Sequence, residues 1–208
     1  MEWLDQNIPV DAIYLDFQKA FDTVPHSRLL MKLEKYGVKN NILNWIGDFL
    51  SDRQQYVSIN GSRSSNLPVT SGVPQGSVLG PTLFIYYIND LPEVTTTLSK
   101  LFADDTKAYS KMEDTTDRDN LQSGISSMDK WTLEWLLKFN EEKIHALHLG
   151  KNNPNYDYYI GENNTLINTS TLEKDLGVFI DPELNFEDHI INVTKKARKI
   201  SSLIIICF

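Results

Sequence analysis

Apolar residues first gather in an almost continuous run, Ala12-Ile13-Tyr14-Leu15, which Asp16 ends and Phe17 follows; residues 9–17 read as a buried strand with a carboxylate at its tip. The period then lengthens. From His26 to Gly37, Leu29, Leu30, Leu33 and Tyr36 recur at helical spacing, and Gly37 supplies the stop. Asn41 to Leu50 repeats the helical pattern, with Ile42, Trp45, Ile46 and Phe49 on one face. Gln54 to Asn60 and Leu67 to Thr70 read as paired strands, with Asn60-Gly61 between them as a strong turn signal. Ser71 to Ser77 is a loop dense in Gly and Pro. It feeds an apolar segment, Pro81 to Leu91, in which Pro81 suits a first helical position.

Leu98 to Ala103 and Lys107 to Ser110 alternate on either side of Asp104-Asp105, which predicts a hairpin with the acidic pair at its turn. A long amphipathic helix is expected over about 116–138. Its stripe is Leu121, Ile125, Met128 and Leu136, flanked by Trp131 and Trp135, and such a stripe packs against a sheet. His145 to Leu149 is a strand, Tyr156 to Ile160 and Thr165 to Ile167 flank Gly161-Glu162-Asn163-Asn164 as a hairpin, and Leu176 to Ile180 is a short strand. Phe186 to Ile206 closes the chain as a helix with a basic face. This order of strands, hairpins and helices predicts an α+β fold, helices packed over a mostly antiparallel sheet. No internal repeat, low-complexity tract or linker interrupts it.

Composition adds limits. The 208 residues are 41% hydrophobic and 23% charged, which is ordinary for a globular chain with a real core. A single cysteine, Cys207, excludes an internal disulfide and fits a reducing compartment. The start, Met1-Glu2-Trp3-Leu4-Asp5, has no secretory pattern, and the longest apolar run, Leu203 to Phe208, is too short to span a bilayer. An intracellular location, cytoplasmic or nuclear, without a membrane is therefore expected. Net charge is −8, which sits awkwardly with phosphate binding. Lys195-Lys196-Ala197-Arg198-Lys199 is the one compact basic cluster, and a solvated helix face accounts for it as well as a nucleic-acid contact does.

The chemistry concentrates in Asp16, Asp104 and Asp105. Burying several carboxylates together is costly unless a cation joins them. A hard divalent ion such as Mg²⁺ prefers carboxylate oxygens and keeps open positions for phosphates. Two such ions make an in-line phosphoryl-transfer site. Asp16 and Asp104 are 104 − 16 = 88 residues apart, so only adjacent strands of a fold bring them together. An isolated Asp-Asp is usually a solvated turn. The apolar run ahead of each acid separates this case from that one. The four histidines, His26, His145, His148 and His189, have no ligand spacing, and no zinc is expected.

The segments around these acids are specific. Leu15-Asp16-Phe17-Gln18-Lys19-Ala20-Phe21-Asp22-Thr23-Val24-Pro25-His26 resembles motif A of reverse transcriptases from non-LTR retrotransposons, Ser71 to Pro81 resembles their motif B, and Phe102-Ala103-Asp104-Asp105 resembles motif C. Asn140-Glu141-Glu142-Lys143 is similar to motif D, and Leu172 to Ile180 to the segment leading into motif E. The resemblance spans nearly the whole chain in the right order and implies a polymerase-type palm over residues 1–185, with 186–208 as the start of a thumb. It implies template-directed addition of deoxynucleotides to a DNA primer on an RNA template, with two Mg²⁺ ions, replaceable by Mn²⁺.

On that resemblance Asp16 and Asp104, with the Phe17 backbone alongside, hold the metals, and Asp105 supports them. Phe21 lies against the sugar and excludes a ribose 2′-hydroxyl. Gln75 and Gly76 touch the nucleotide and the templating base. Lys143 donates a proton to the leaving pyrophosphate. The residues alone leave alternatives: Phe21 as a core aromatic, the 71–77 loop as a tight turn, Lys143 as a surface lysine. Asp22 and Lys19 are given no chemistry. Only fifteen residues precede Asp16, so a fingers region is expected to be missing, and Gln18 stands where the family commonly has a small residue. Two other functions compete: a truncated or domesticated fragment that only binds nucleic acid or protein, and another palm enzyme such as a nucleotide cyclase, which would not need the 71–81 loop or Phe21.

Overall fold

The computed structural model describes residues 2–207. Its centre is the apolar run read first in the sequence. β1 (Val10–Leu15) is followed by α1 (His26–Lys35), α2 (Asn40–Leu50) and α3 (Leu79–Ile88). Next come β2 (Leu98–Phe102), β3 (Asp105–Lys111) and α4 (Thr115–Trp135). β4 (His145–Leu149), β5 (Asn168–Thr169) and α5 (Glu187–Cys207) complete the main elements. The main sheet has the order β5-β4-β1-β3-β2, antiparallel throughout except for the β4–β5 pair. It is the expected α+β architecture, with β1 in the middle.

Register explains which face is covered. Ile13 sits opposite Ala108 on one side and Ala146 on the other. These small partners leave room for the helices that bury Ile13 completely. Leu121, Ile125 and Met128 of α4 and Phe84 and Tyr87 of α3 are all fully buried in that layer. The opposite face, with Tyr14, Lys107 and His145, meets a small hairpin described below.

α1 is fastened to the core by a charge. Lys32 is 2% exposed, and its Nζ donates to the Tyr87 carbonyl at 2.6 Å and to Asp90 Oδ1 at 2.5 Å. The ammonium also lies 3.8 Å from the Trp135 ring centre and 4.5 Å from that of Trp131. Burial lowers its pKa, and the hydrogen bond and charge of Asp90 partly restore it. A lysine among leucines at helical spacing gives no sign of this role in the sequence.

Several boundaries differ from the pattern, each for a local reason. α4 begins where Asp114 caps it, accepting from the backbone N–H groups of Thr116 and Asp117. It ends at Trp135 because Leu136 turns left-handed, with φ of 54°. Leu136 is therefore exposed and leaves the apolar stripe, while Leu137 and Phe139 beyond it are buried. α3 starts at Leu79, two residues before Pro81. The Pro is tolerated there because the first-turn N–H groups have no helical partner anyway. The 54–68 arms form only two-residue ladders, Gln54–Gln55 with Leu67–Pro68 and Ser58–Ile59 with Ser62–Arg63. Asn60-Gly61 is the turn expected, both residues with positive φ. Every residue of these ladders is exposed, so no core reinforces them. The expected strand 176–180 is instead a hairpin, Glu173–Asp175 with Val178–Ile180, turning at Leu176-Gly177. β5 escaped notice because two residues carry no periodicity. Among the described residues no helix is long and apolar enough to cross a membrane.

Candidate active site

β1 ends at Leu15, which pairs with Thr106 of β3. Continuing that register by one residue sets Asp16 across from Asp105. The β2–β3 turn is tight: Phe102 pairs with Asp105, leaving Ala103-Asp104 as its two central residues, with Ala103 at φ of 53°. The turn thus consists of Ala103-Asp104, and Asp105 is the first residue of β3. Central pairing of β1 with β3 is how residues 88 positions apart in sequence reach one end of one sheet.

Asp16 is only part exposed, and its Oδ2 accepts from Lys143 Nζ at 2.7 Å. The Lys143 segment is stitched to the Asp16 segment by its backbone. Asn140 N–H donates to Asp16 O at 2.7 Å, Gln18 N–H to Lys138 O at 2.8 Å, and the Phe17 and Phe139 rings stack at 4.7 Å. Asp16 raises the Lys143 pKa through its hydrogen bond and its charge, and Asp104 adds a smaller effect. The Asp105 pKa is raised by desolvation first, then by Asp104, Asp16 and Asp175, with Lys107 opposing. The three acids therefore share one electrostatic environment.

Whether a divalent ion fits can be judged from the donors. They are hard carboxylate oxygens, and an ammonium already stands against Asp16 as a stand-in cation. Among the described residues no three Asp, Glu, His or Cys side chains yet converge on one point. Sharing an ion therefore requires side-chain rotation. Asp104, at the tip of a turn, and Asp105, exposed, are free to rotate in this way. The set fits a divalent cation.

Asp16, Asp105 and Lys143 border a cavity of about 540 Å³ whose inner wall includes Tyr14 and Lys107. The 173–180 hairpin closes one side. It is held by an ion pair from Lys107 to Asp175, and His145 Nδ1 lies 3.3 Å from Glu173 Oε1. Burial, with Asp175 and Glu173 near by, pushes the Tyr14 hydroxyl pKa far up, so it stays protonated. None of Tyr14, Lys107, Asp175 and Glu173 was singled out from sequence. Their pairing depends on the hairpin folding back onto the sheet.

The remaining sequence candidates lie on a second platform. Phe17 is 3% exposed, so only its backbone is available to a ligand. Phe21, half-buried in the short helix Ala20–Thr23, stacks on Phe84 of α3 at 4.6 Å. The 71–77 loop docks on this turn: Val73 N–H donates to Phe21 O at 2.7 Å, Gly72 N–H to Val24 O at 2.8 Å, and Ser71 Oγ to Asp22 O at 2.9 Å. Gly72, with φ of +90°, is obligatory here, since a Cβ would stand 2.7 Å from the Asp22 backbone. Gln75 is exposed and its Nε2 donates to Asp22 Oδ1 at 3.0 Å, while Gly76 faces open space. Gln75 and Gly76 do not line the cavity. Asp22, given no chemistry in the sequence, is the residue that holds Gln75; a single acid in a short helical turn carries no pattern that points to this contact.

The acidic environment has a measurable consequence. A carboxyl whose pKa is raised by the fold costs stability above that raised value. It costs nothing below its ordinary 3.8, where it is protonated in both states. The stability loss from Asp105 thus develops as pH rises through the window above 3.8. In metal-free buffer Asp105→Asn should melt higher than the wild type at pH 7, and the two should converge near pH 3. Equal melting temperatures at both pH values would remove the electrostatic coupling.

Comparisons with known proteins place the chain in a family. The family model described as reverse transcriptase (RNA-dependent DNA polymerase) matches residues 11–200. Among curated proteins, the RNA-directed DNA polymerase from mobile element jockey of Drosophila melanogaster is 32% identical over 194 residues, covering 89% of this chain and 21% of that protein. The probable RNA-directed DNA polymerase from transposon BS of the same fly is 29% identical, covering 89% of this chain and 22% of that protein. The chain therefore spans about a fifth of the length of these relatives. Among solved structures, telomerase from Candida tropicalis in complex with the TWJ fragment of telomeric RNA superposes with a TM-score of 0.58 at 14% identity, over 86% of this chain and 30% of that one. That last likeness is one of fold.

Proposed function

The chain belongs to the reverse transcriptase family, and on that premise we propose that it is the palm of a non-LTR retrotransposon RNA-directed DNA polymerase, over residues 1–185, with residues 186–208 beginning a thumb. The family generally uses divalent metal ions. Here Asp16 and Asp104 would hold two Mg²⁺ ions, with Asp105 and the Phe17 carbonyl in support, and Mn²⁺ could replace them. Bound there, the ions supply Lewis acidity to the primer 3′-hydroxyl and to the triphosphate. The rest is the work of the chain's own residues. Lys143, already at Asp16, is placed to give its proton to the departing pyrophosphate. Phe21, braced by Phe84, offers a rigid ring against the sugar of an incoming deoxynucleotide. Gln75, held by Asp22, and the open backbone at Gly76 meet the nucleotide and templating base. The partners are an RNA template, a DNA primer and deoxynucleoside triphosphates, in the cytoplasm or nucleus.

The observation that carries this reading is the β1–β3 register, which sets Asp16 beside Asp105 at the start of β3 and Asp104 on the turn before it. Its test is incorporation of deoxynucleotides by the purified protein on an RNA template with an annealed DNA primer. Extension should require Mg²⁺ or Mn²⁺ and follow the template. Tight binding of the primer–template with no incorporation in either metal would make the chain a binding module and overturn the proposal.

A further inference from the structure

Three carboxylates, Asp16, Asp104 and Asp105, lie at this end of the sheet, and their counter-charge is specific. Lys107, the nearer lysine on β3, is committed to Asp175. Among the described residues the ion-pair partner of Asp16 is Lys143. We infer that Lys143 is the resident counter-cation of the carboxylate site, and that a divalent ion enters by displacing its ammonium from Asp16. The inference rests on the polymerase reading of the site and deepens it, because it assigns Lys143 a role before chemistry begins.

Three features carry it. First, the contact is direct, 2.7 Å from Nζ to Oδ2, so the ammonium sits on the carboxylate that an incoming ion would bind. A divalent ion and an ammonium on the same carboxylate would repel at close range. Second, the side chain can leave without damage. It is 65% exposed, and its departure opens no void in the core. Third, the segment does not depend on that ion pair for its position. The Asn140 N–H to Asp16 O bond, the Gln18 N–H to Lys138 O bond, the Phe17–Phe139 bridge and the stacked rings hold it in place regardless. Displacement therefore releases one flexible side chain next to the site while the backbone stays fixed. Metal loading and the freeing of the Lys143 ammonium for proton donation become a single event, so the acid is withheld until the ion is present.

Direct metal binding tests this without polymerisation. Mn²⁺ is titrated into the purified protein in the absence of nucleotide and nucleic acid, and free ion is read by electron paramagnetic resonance. Lys143→Met, which removes the competing charge, should bind Mn²⁺ about fivefold more tightly than the wild type, the scale of one exposed ion pair that no longer has to be broken. Lys143→Arg, which keeps the charge, should bind as the wild type does. Asp16→Asn should bind poorly whatever stands at 143. Equal or weaker affinity in Lys143→Met, with binding still lost in Asp16→Asn, would overturn the displacement role while leaving the metal site intact. Binding that survives in Asp16→Asn would overturn both the inference and the assignment of Asp16 on which it stands.

Discussion

Asp104→Asn is expected to lower primer extension by at least about a thousandfold while the protein remains folded. The loss corresponds to about 4 kcal/mol of barrier at the usual conversion. The substitution keeps the size of the side chain and removes its charge, and a carboxamide is a poor ligand for a hard divalent ion. Asp104 sits on the two-residue turn between β2 and β3, outside the buried core. No ion pair holds it among the described residues, so structure is not lost with the charge. Its charge is the second contributor to the raised Asp105 pKa, after desolvation. Removing it relieves repulsion, and the metal-free variant should melt no lower than the wild type. Single-turnover extension, paired with a melting curve in chelator, checks both halves. Extension within tenfold of wild type would take Asp104 out of the metal set.

The second large effect lies at the other end of β1. Asp11→Ala should cost about 3–5 kcal/mol of stability, the scale for removing one partner from a buried polar or ionic pair. Asp11 is fully buried, and its carboxylate is paired with His148 Nδ1 at 2.7 Å while accepting from Asn153 Nδ2 at 2.7 Å and the Tyr158 hydroxyl at 2.6 Å. His148 and Tyr158 are buried as well. Alanine would take the carboxylate from the buried His148 and Tyr158 at once, while half-buried Asn153 keeps its Val10 and Leu149 carbonyl acceptors. Against a domain stability of about 5–15 kcal/mol this is a large fraction. Urea unfolding should show a lower midpoint with an unchanged slope. Asp11→Asn, which keeps one acceptor oxygen, should fall between. A loss under about 1 kcal/mol would mean that water reaches the cluster and replaces the carboxylate.

These two residues were unequally visible in the sequence. Asp104 was legible because an apolar run precedes an acidic pair, and because three separate segments resemble ordered motifs of one family. Asp11 stands in the same first strand and was passed over. What distinguishes it is a histidine 137 positions away, in register on β4. Lys32 was hidden in the same way, since the carboxylate and the aromatic rings that enclose it come from residues 87 to 135. Leu136 was placed on the helical stripe because its spacing is right. The chain instead turns left-handed there, and Phe139 beyond it reaches Phe17. The Asp22–Gln75 bond and the Lys107–Asp175 ion pair of the 173–180 hairpin belong to the same class of contacts between distant segments.

What the sequence determined by itself is therefore local and periodic. It includes the buried first strand, the helices with one apolar face, the Asn60-Gly61 turn, the α+β order, and the acids that end apolar runs. Side-chain spacing and turn chemistry act over a few residues, so the primary structure displays them. Tertiary structure alone decided that β1 lies between β3 and β4, that Lys143 neutralises Asp16, that Asp22 holds Gln75, and that the hairpin closes the cavity beneath Asp105. Each of those depends on register between strands or on a loop folding back, where a shift of one residue would turn every side chain to the opposite face.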